Sequence, residues 1–130
     1  MPKPTVTGFF ADIKNDEQRR DSRIVARIMS AATKSKARVW APNIVGFGER
    51  TITYADGREA RWMLIGFSPR KANLTLYVGR RFENRDRLLK ALGKHKMGGG
   101  CLYIKRLSDV HLPSLKKIVV ASVKRAKQAG

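Results

Sequence analysis

The 130-residue chain predicts an α+β domain in which N- and C-terminal helices pack on one antiparallel sheet of about five strands. Three observations predict this class. Both ends of the chain carry apolar residues at three- and four-residue spacing, which is typical of helices. The middle carries short apolar runs separated by turn residues, as strands do. One further helical segment lies before the last strand, so the expected order is two helices, a set of strands, a helix, a strand and a helix.

Two helices are predicted near the N-terminus. The first covers residues 7–13, with Thr7 as its N-cap because a threonine hydroxyl can accept a hydrogen bond from a free backbone N–H of the first turn. The second covers residues 16–33. Its apolar stripe, which we expect to face the core, consists of Ile24, Val25, Ile28, Met29 and Ala32.

Strands are predicted over the central part of the chain, at residues 38–40, 48–54, 59–68 and 73–78. The strand at 59–68 is apolar enough to be central. Asp56-Gly57 predicts a hairpin turn between two of these strands, and residues 69–72 contain a proline that ends the third. We therefore expect residues 47–79 to form an antiparallel meander.

The C-terminal third returns to helical spacing. A helix is predicted over residues 84–92, ended by Gly93, and residues 101–104 form a short strand. The last helix begins after Ser108 or Asp109, with Pro113 in its first turn. Its expected buried face consists of Leu112, Leu115, Ile118, Val119 and Val123.

The net positive charge of the chain indicates which classes of partner it favours. Lys and Arg number 28 against 10 Asp and Glu, a formal net charge of +18, which favours nucleic acid, an anionic membrane surface or acidic small molecules. Hydrophobic residues make up 42% of the chain, which argues against disorder.

Cys101 is the only cysteine, as expected in a reducing cytoplasm. Residues 1–10 lack a secretory pattern, and the longest apolar run, 62–67, is far shorter than the ~20 residues that span a bilayer. We expect one soluble cytoplasmic domain over residues 1–130.

A glycine-rich segment is the first candidate site. Glycine lets the backbone turn sharply and present amide N–H groups at close range, and such groups beside cations form a concavity suited to an anion. The candidate ligand-binding residues in this segment are Lys94, His95, Lys96, Gly98, Gly99 and Gly100.

A second basic segment follows the apolar strand. Ser68 ends that strand, and the proline after it could aim Arg70 and Lys71 across the sheet edge. Arginine suits bidentate contact with phosphate or carboxylate. We expect Arg70, Lys71, Lys94 and Lys96 to line one concave surface near the glycines, with Trp40 as a flat apolar wall.

Several segments together resemble the YdhG-like domain family. They are RVWAPNIVGFG (38–48), GFSPRK (66–71), LTLY (74–77), GKHK (93–96) and CLYI (101–104). The resemblance covers residues 39–110 and implies the same α+β fold. The family commonly has Thr-Gly-Lys-Ser before the cysteine, whereas this chain has Met97-Gly98-Gly99-Gly100, without the lysine and the two hydroxyls. Because some relatives are described as frataxin-like iron chaperones, the resemblance also implies iron carriage as an alternative.

The sequence thus predicts a non-catalytic protein that binds an anionic small molecule or an acidic partner. Sequence-independent binding of nucleic acid is the first alternative, since eleven Lys and Arg lie between residues 70 and 106. Iron carriage is the second, and its acidic residues would be Asp12, Asp16, Glu17 and Asp21. No catalytic residue, metal-ligand spacing or cofactor motif is predicted: Gly93 and Gly98 have P-loop spacing, but Gly99 and Gly100 replace the required Lys and Ser/Thr.

Overall fold

The computed structural model describes residues 5–129 and has the general α+β class that the sequence predicts. The helices are α1 (Val6–Ala11), α2 (Asp16–Thr33), α3 (Arg85–Leu92) and α4 (Leu112–Ala129). The strands are β1 (Ala37–Ala41), β2 (Ile44–Phe47), β3 (Arg50–Thr53), β4 (Glu59–Trp62), β5 (Ile65–Pro69), β6 (Leu74–Tyr77), β7 (Lys96–Gly98) and β8 (Cys101–Ile104). A 3-10 turn, Leu107–Asp109, precedes α4.

Six of these strands form one antiparallel sheet, in the order β1-β2-β5-β6-β8-β7. The other two, β3 and β4, pair only with each other in a separate two-stranded sheet. The prediction of about five strands in one sheet therefore included β3 and β4, which form the small sheet. It missed β2 and β7, which belong to the main sheet.

The helices pack on one face of the main sheet, which we call the inner face. Val25 and Met29 of α2 and Leu115 of α4 are buried there against apolar strand residues such as Phe67 and Leu76. All five are at most 1% exposed. The predicted apolar stripes thus supply part of the core, whereas their other members Ile24, Ile28, Ala32 and Leu112 are only partly buried. Within residues 5–129, no helix combines the length and the apolar character needed to cross a bilayer.

Both N-terminal helices begin with a side-chain cap, but the cap predicted for the first is wrong. Helix α1 begins one residue earlier than expected, and the hydroxyl of Thr5, not Thr7, accepts a hydrogen bond from Gly8 N at 3.0 Å. Helix α2 has the predicted bounds because Asn15 Oδ1 accepts from Gln18 N at 2.8 Å. Residues 1–4, part of the segment tested for a secretory pattern, lie outside the described residues.

The predicted strands 48–54 and 59–68 are both corrected. Gly48 has a φ of +71°, which turns the chain out of the main sheet after β2 and before β3. The long apolar run is split at Met63 and Leu64, where Leu64 N donates to Phe47 O at 3.1 Å. Its first half is β4, in the small sheet, and its second half is the central strand β5. The continuous meander is therefore interrupted by a hairpin that leaves the sheet.

The side chain of Met63 covers the face opposite the helices, which we call the outer face. Gly46 of β2 and Gly66 of β5 are register partners, and the sulfur of Met63 occupies the space that a Cβ atom at either position would need. Met63 is 1% exposed. This contact holds the β3–β4 hairpin against the main sheet.

Replacing Gly66 with Ala should destabilise the protein by about 1–3 kcal/mol, since overpacking a tight contact forces side chains and backbone to shift. A methyl group there would overlap Met63 and lie 2.7 Å from Val45 O. Gly100→Ala is the matched control, because its methyl would meet only atoms at 3.4 Å or more. Urea unfolding of both variants checks this. Equal losses of stability would contradict the proposed contact.

Asp21→Ala should cost about 1–3 kcal/mol, because it leaves a buried amide without its acceptor. Asp21 is 8% exposed, and its Oδ2 accepts from Leu107 N at 3.0 Å, which ties α2 to the segment before α4. Asp16→Ala on the same helix should change stability by less than about 0.5 kcal/mol, since the Asp16 side chain is 84% exposed. Thermal unfolding distinguishes the two variants, and a neutral Asp21→Ala would refute the structural role.

Candidate anion-binding site

The glycine-rich segment is a tight hairpin. Strands β7 and β8 pair from Lys96 with Tyr103 to Gly98 with Cys101, and Gly99 and Gly100 form the turn between them. Gly99 has a φ of +60°, a conformation that glycine adopts without strain. The strand before the turn was not predicted because Lys96-Met97-Gly98 has no apolar pattern. Gly100 O accepts from the N–H groups of Val78 and Gly79, at 3.2 and 3.0 Å, which fixes the turn against the end of β6.

A cavity of about 550 Å³ lies beside this turn, and we call it the arginine cavity. Four arginines from separate parts of the chain line it. They are Arg50 of β3, Arg80 and Arg81 after β6, and Arg125 of α4. Its apolar wall comes from Trp62, Met63 and Leu64, and the glycine turn contributes Gly100 and Cys101.

The arginine cavity has a positively charged lining, and the nearby Glu83, which shares a neighbouring cavity with Arg81 and Arg125, pairs with Lys124 at 3.7 Å. No Asp or Glu lines the arginine cavity itself. The ion pairs formed within residues 5–129 all involve other cations. Arg50 Nε is buried and has no hydrogen-bond partner in the protein. A buried polar group usually has a partner, so this N–H is an unsatisfied donor on a residue that lines the cavity.

Three local features position these arginines. Arg50 is the register partner of Trp62 in the β3–β4 hairpin. Because the neighbouring Met63 packs on the main sheet, the hairpin places Arg50 above that sheet. Gly79 has a φ of +85° and turns the chain before Arg80 and Arg81. The Ser122 hydroxyl donates a short hydrogen bond to Val78 O, which holds α4 at the end of β6 with Arg125 one turn further on.

The predicted basic residues lie elsewhere. Arg70 and Lys71 occupy the turn between β5 and β6, whereas the glycine turn lies beyond the opposite end of β6. They line a separate cavity of about 270 Å³ together with Asp12 and Gln18, among others. Gln18 Nε2 donates to the carbonyl oxygen of Arg70 at 2.6 Å, so this turn is tied to α2.

Lys94, His95 and Lys96 lead into β7 at the same end of the sheet as the Arg70 turn. Lys94 N donates to Asp109 O at 3.3 Å, and His95 Nδ1 lies 2.7 Å from Gly93 O. None of the three lines the arginine cavity. The structure therefore places Arg70, Lys71, Lys94 and Lys96 away from the glycine turn, and four other cations beside it.

Ser68 and Trp40 both lie on the outer face. Ser68 is fully buried, and its Oγ has no hydrogen-bond partner in the protein. Trp40 packs edge-on against Trp62, with ring centroids 5.8 Å apart, and the Arg38 guanidinium lies 4.1 Å from its ring centroid. Trp40 thus packs against the β3–β4 hairpin rather than forming a wall of a site beside the glycines.

A polar cluster occupies the more open half of the outer face. Arg70 Nη2 donates to Tyr77 Oη at 3.2 Å, and this hydrogen bond raises the pKa of Arg70. The Cys101 thiolate raises the pKa of Tyr103 above its usual value of 10. Around neutral pH, this face therefore presents the Arg70 guanidinium cation and the neutral phenol of Tyr103.

Three of the four acidic residues proposed for iron have a hydrogen-bond or ion-pair partner. Asp21 accepts from Leu107 N, Asp16 pairs with Arg19 at 2.9 Å, and Glu17 pairs with Arg106 at 3.9 Å. No group of three or more His, Cys, Asp or Glu residues within the described range is placed to hold a metal ion.

Four guanidinium groups without a carboxylate make the arginine cavity the better candidate for an anion. Sequence reasoning missed it because its arginines are far apart in the chain. The one local signal is Arg80-Arg81, directly after a strand and Gly79. No protein-family model, curated protein or solved structure matches this chain.

Proposed function

We propose that this protein binds a phosphate-bearing anion in the arginine cavity and catalyses no reaction on it. The observation that carries the proposal is the set of four arginines around one cavity that no Asp or Glu lines. Like charges held close together repel each other, and an anion bound between them relieves that repulsion.

Phosphate fits this cavity better than a single carboxylate does. Each guanidinium presents a planar fork of donors that matches two phosphate oxygens. Four formal positive charges are better balanced by a phosphate ester or a diphosphate than by one carboxylate. The cavity volume of about 550 Å³ lies within the ~300–1,000 Å³ that is typical of small-molecule sites, and Trp62 offers an apolar surface to the rest of the ligand.

The side chains that line the cavity favour binding over chemistry. Cys101 and Tyr77 are potential nucleophiles there, together with Ser122. The lining includes no histidine or carboxylate that could act as a general base for them. The Ser122 hydroxyl is already committed to Val78 O.

Arg50→Gln and Arg125→Gln should each weaken binding of inorganic pyrophosphate roughly tenfold or more, the usual effect of losing a hydrogen bond between charged groups. Arg20→Gln is the matched control, because it removes the same charge from an exposed position on α2. Isothermal titration calorimetry at two salt concentrations measures the effect.

Equal weakening by all three variants would show that the +18 charge acts as a whole, and would refute the site. The proposal likewise fails if the unmodified protein binds no pyrophosphate at low salt, where attraction between exposed charges is strongest.

The resemblance to the YdhG-like family stays a prediction, and the alternative that it implies can be tested separately. We expect iron binding no tighter than that of a generic acidic surface, because Asp16 and Glu17 are paired with arginines. The informative variant is Asp12→Asn/Asp16→Asn/Glu17→Gln, which keeps the buried Asp21. Anaerobic titration with ferrous iron should give the same weak binding with and without these changes, and tight binding lost in the variant would favour iron carriage.

A further inference from the structure

The arginine cavity continues onto the outer face of the main sheet. Tyr77 and Cys101 line the cavity, and in the alternation of strands β6 and β8 they point to the outer face, opposite the core residues Leu76 and Leu102. Tyr103 lies two residues beyond Cys101 on the same face, and Lys96 is its register partner on β7. One surface thus leads from four arginines to two tyrosines and a lysine.

We propose that the phosphate in the arginine cavity belongs to a single-stranded nucleic acid, which extends from there across Tyr77 and Tyr103. This inference rests on the proposed function, since it identifies the molecule that carries the phosphate. Sites that bind single strands without sequence preference combine a basic groove for the backbone with aromatic rings on which bases stack. The described surface has both parts.

Glycine at position 98 lets the Tyr103 ring lie against the neighbouring strand. A Cβ atom there would be 3.1 Å from Tyr103 Cε2, which is tighter than an ordinary contact. Gly98 itself is exposed, and the side chains of Tyr77 and Tyr103 are partly exposed. The outer face therefore offers two aromatic rings on adjacent strands, held by their neighbours and still reachable from solvent.

Charge along the surface favours a polyanion throughout. Arg70 holds the hydroxyl of Tyr77, and Lys96 is exposed beside Tyr103. Strands β5 to β8 contain no Asp or Glu. A single-stranded nucleic acid whose bases stack on the two tyrosines would therefore contact Arg70 beside Tyr77 and Lys96 beside Tyr103.

A single strand suits this surface better than a duplex does. The bases of a duplex are stacked on one another and present only their edges in the grooves, so they cannot stack on Tyr77 or Tyr103. Readers of the major groove insert a helix or a two-stranded ribbon, whereas the outer face is a sheet surface on which no helix of residues 5–129 packs. A free mononucleotide, for its part, would leave the second tyrosine unused.

The test compares an oligonucleotide of about ten nucleotides with an abasic strand of the same length. Both carry the same phosphates, and only the first has bases. We expect fluorescence anisotropy to show at least roughly tenfold tighter binding of the strand with bases, since stacking contributes ~1–3 kcal/mol for each base. Tyr103→Leu should reduce that difference, whereas Arg50→Gln should weaken both strands alike.

Two further variants control for the fold. Tyr103→Phe keeps the aromatic ring and should retain the preference for bases. A preference lost in Tyr103→Leu but kept in Tyr103→Phe is therefore due to the missing ring and not to a general intolerance of substitution at this position. Tyr54→Leu changes a tyrosine that is 48% exposed at the end of β3, away from the outer-face path, and should leave the preference intact.

Equal affinity for the two strands would overturn the inference, and so would equal affinity for a duplex of the same length. Equal loss in Tyr54→Leu and Tyr103→Leu would also overturn it. If inorganic pyrophosphate binds through the arginines while bases add nothing, the proposed function stands and this extension fails. If pyrophosphate does not bind at all, the proposed function fails first.

Discussion

The packing of Met63 on two glycines is the contact on which the candidate site depends. Gly46 and Gly66 are paired across β2 and β5, and the thioether fills the space that their missing side chains leave. Because interiors are packed nearly as densely as crystals, this fit holds the β3–β4 hairpin in one position. Arg50 and Trp62 are thereby carried over the main sheet to the arginine cavity.

The second feature of the candidate site is that its arginines lack carboxylate partners. Most of the chain's few carboxylates are used elsewhere, in surface ion pairs or, for Asp21, in a buried hydrogen bond. The four arginines of the cavity have no such partner within residues 5–129, and Arg50 Nε is buried without an acceptor. A buried guanidinium N–H needs a compensating hydrogen bond, and the proposed anion would supply one to Arg50.

The two proposed parts of the binding surface differ in how they are held. The arginines come from a hairpin, a loop and the C-terminal half of α4, and they share a cavity only because Ser122 and Gly100 bond to the end of β6. The tyrosines lie on neighbouring strands of one sheet, so backbone hydrogen bonds fix their spacing. The basic end is thus assembled from distant parts of the chain, whereas the aromatic face belongs to one sheet.

The sequence by itself determined the elements whose signals are local. The apolar spacing predicted the bounds of α2, four of the five residues predicted for the buried face of α4 are buried, and Asp56-Gly57 predicted a hairpin turn. Helical periodicity and turn chemistry depend on neighbours a few residues away. For the candidate site, the sequence predicted a basic surface beside the glycines but not the four arginines that line the cavity there.

Only the tertiary structure decided which strands pair and which cations meet. Residues 59–68 are one apolar run in sequence, yet the contacts of Leu64 with Phe47 and of Met63 with two glycines divide it between two sheets. The pairing of β7 with β8 depends on the turn at Gly99 rather than on an apolar pattern. Arg50 and Arg125 are 75 residues apart in the chain and line one cavity. Such convergence follows from long-range packing, which a local pattern does not encode.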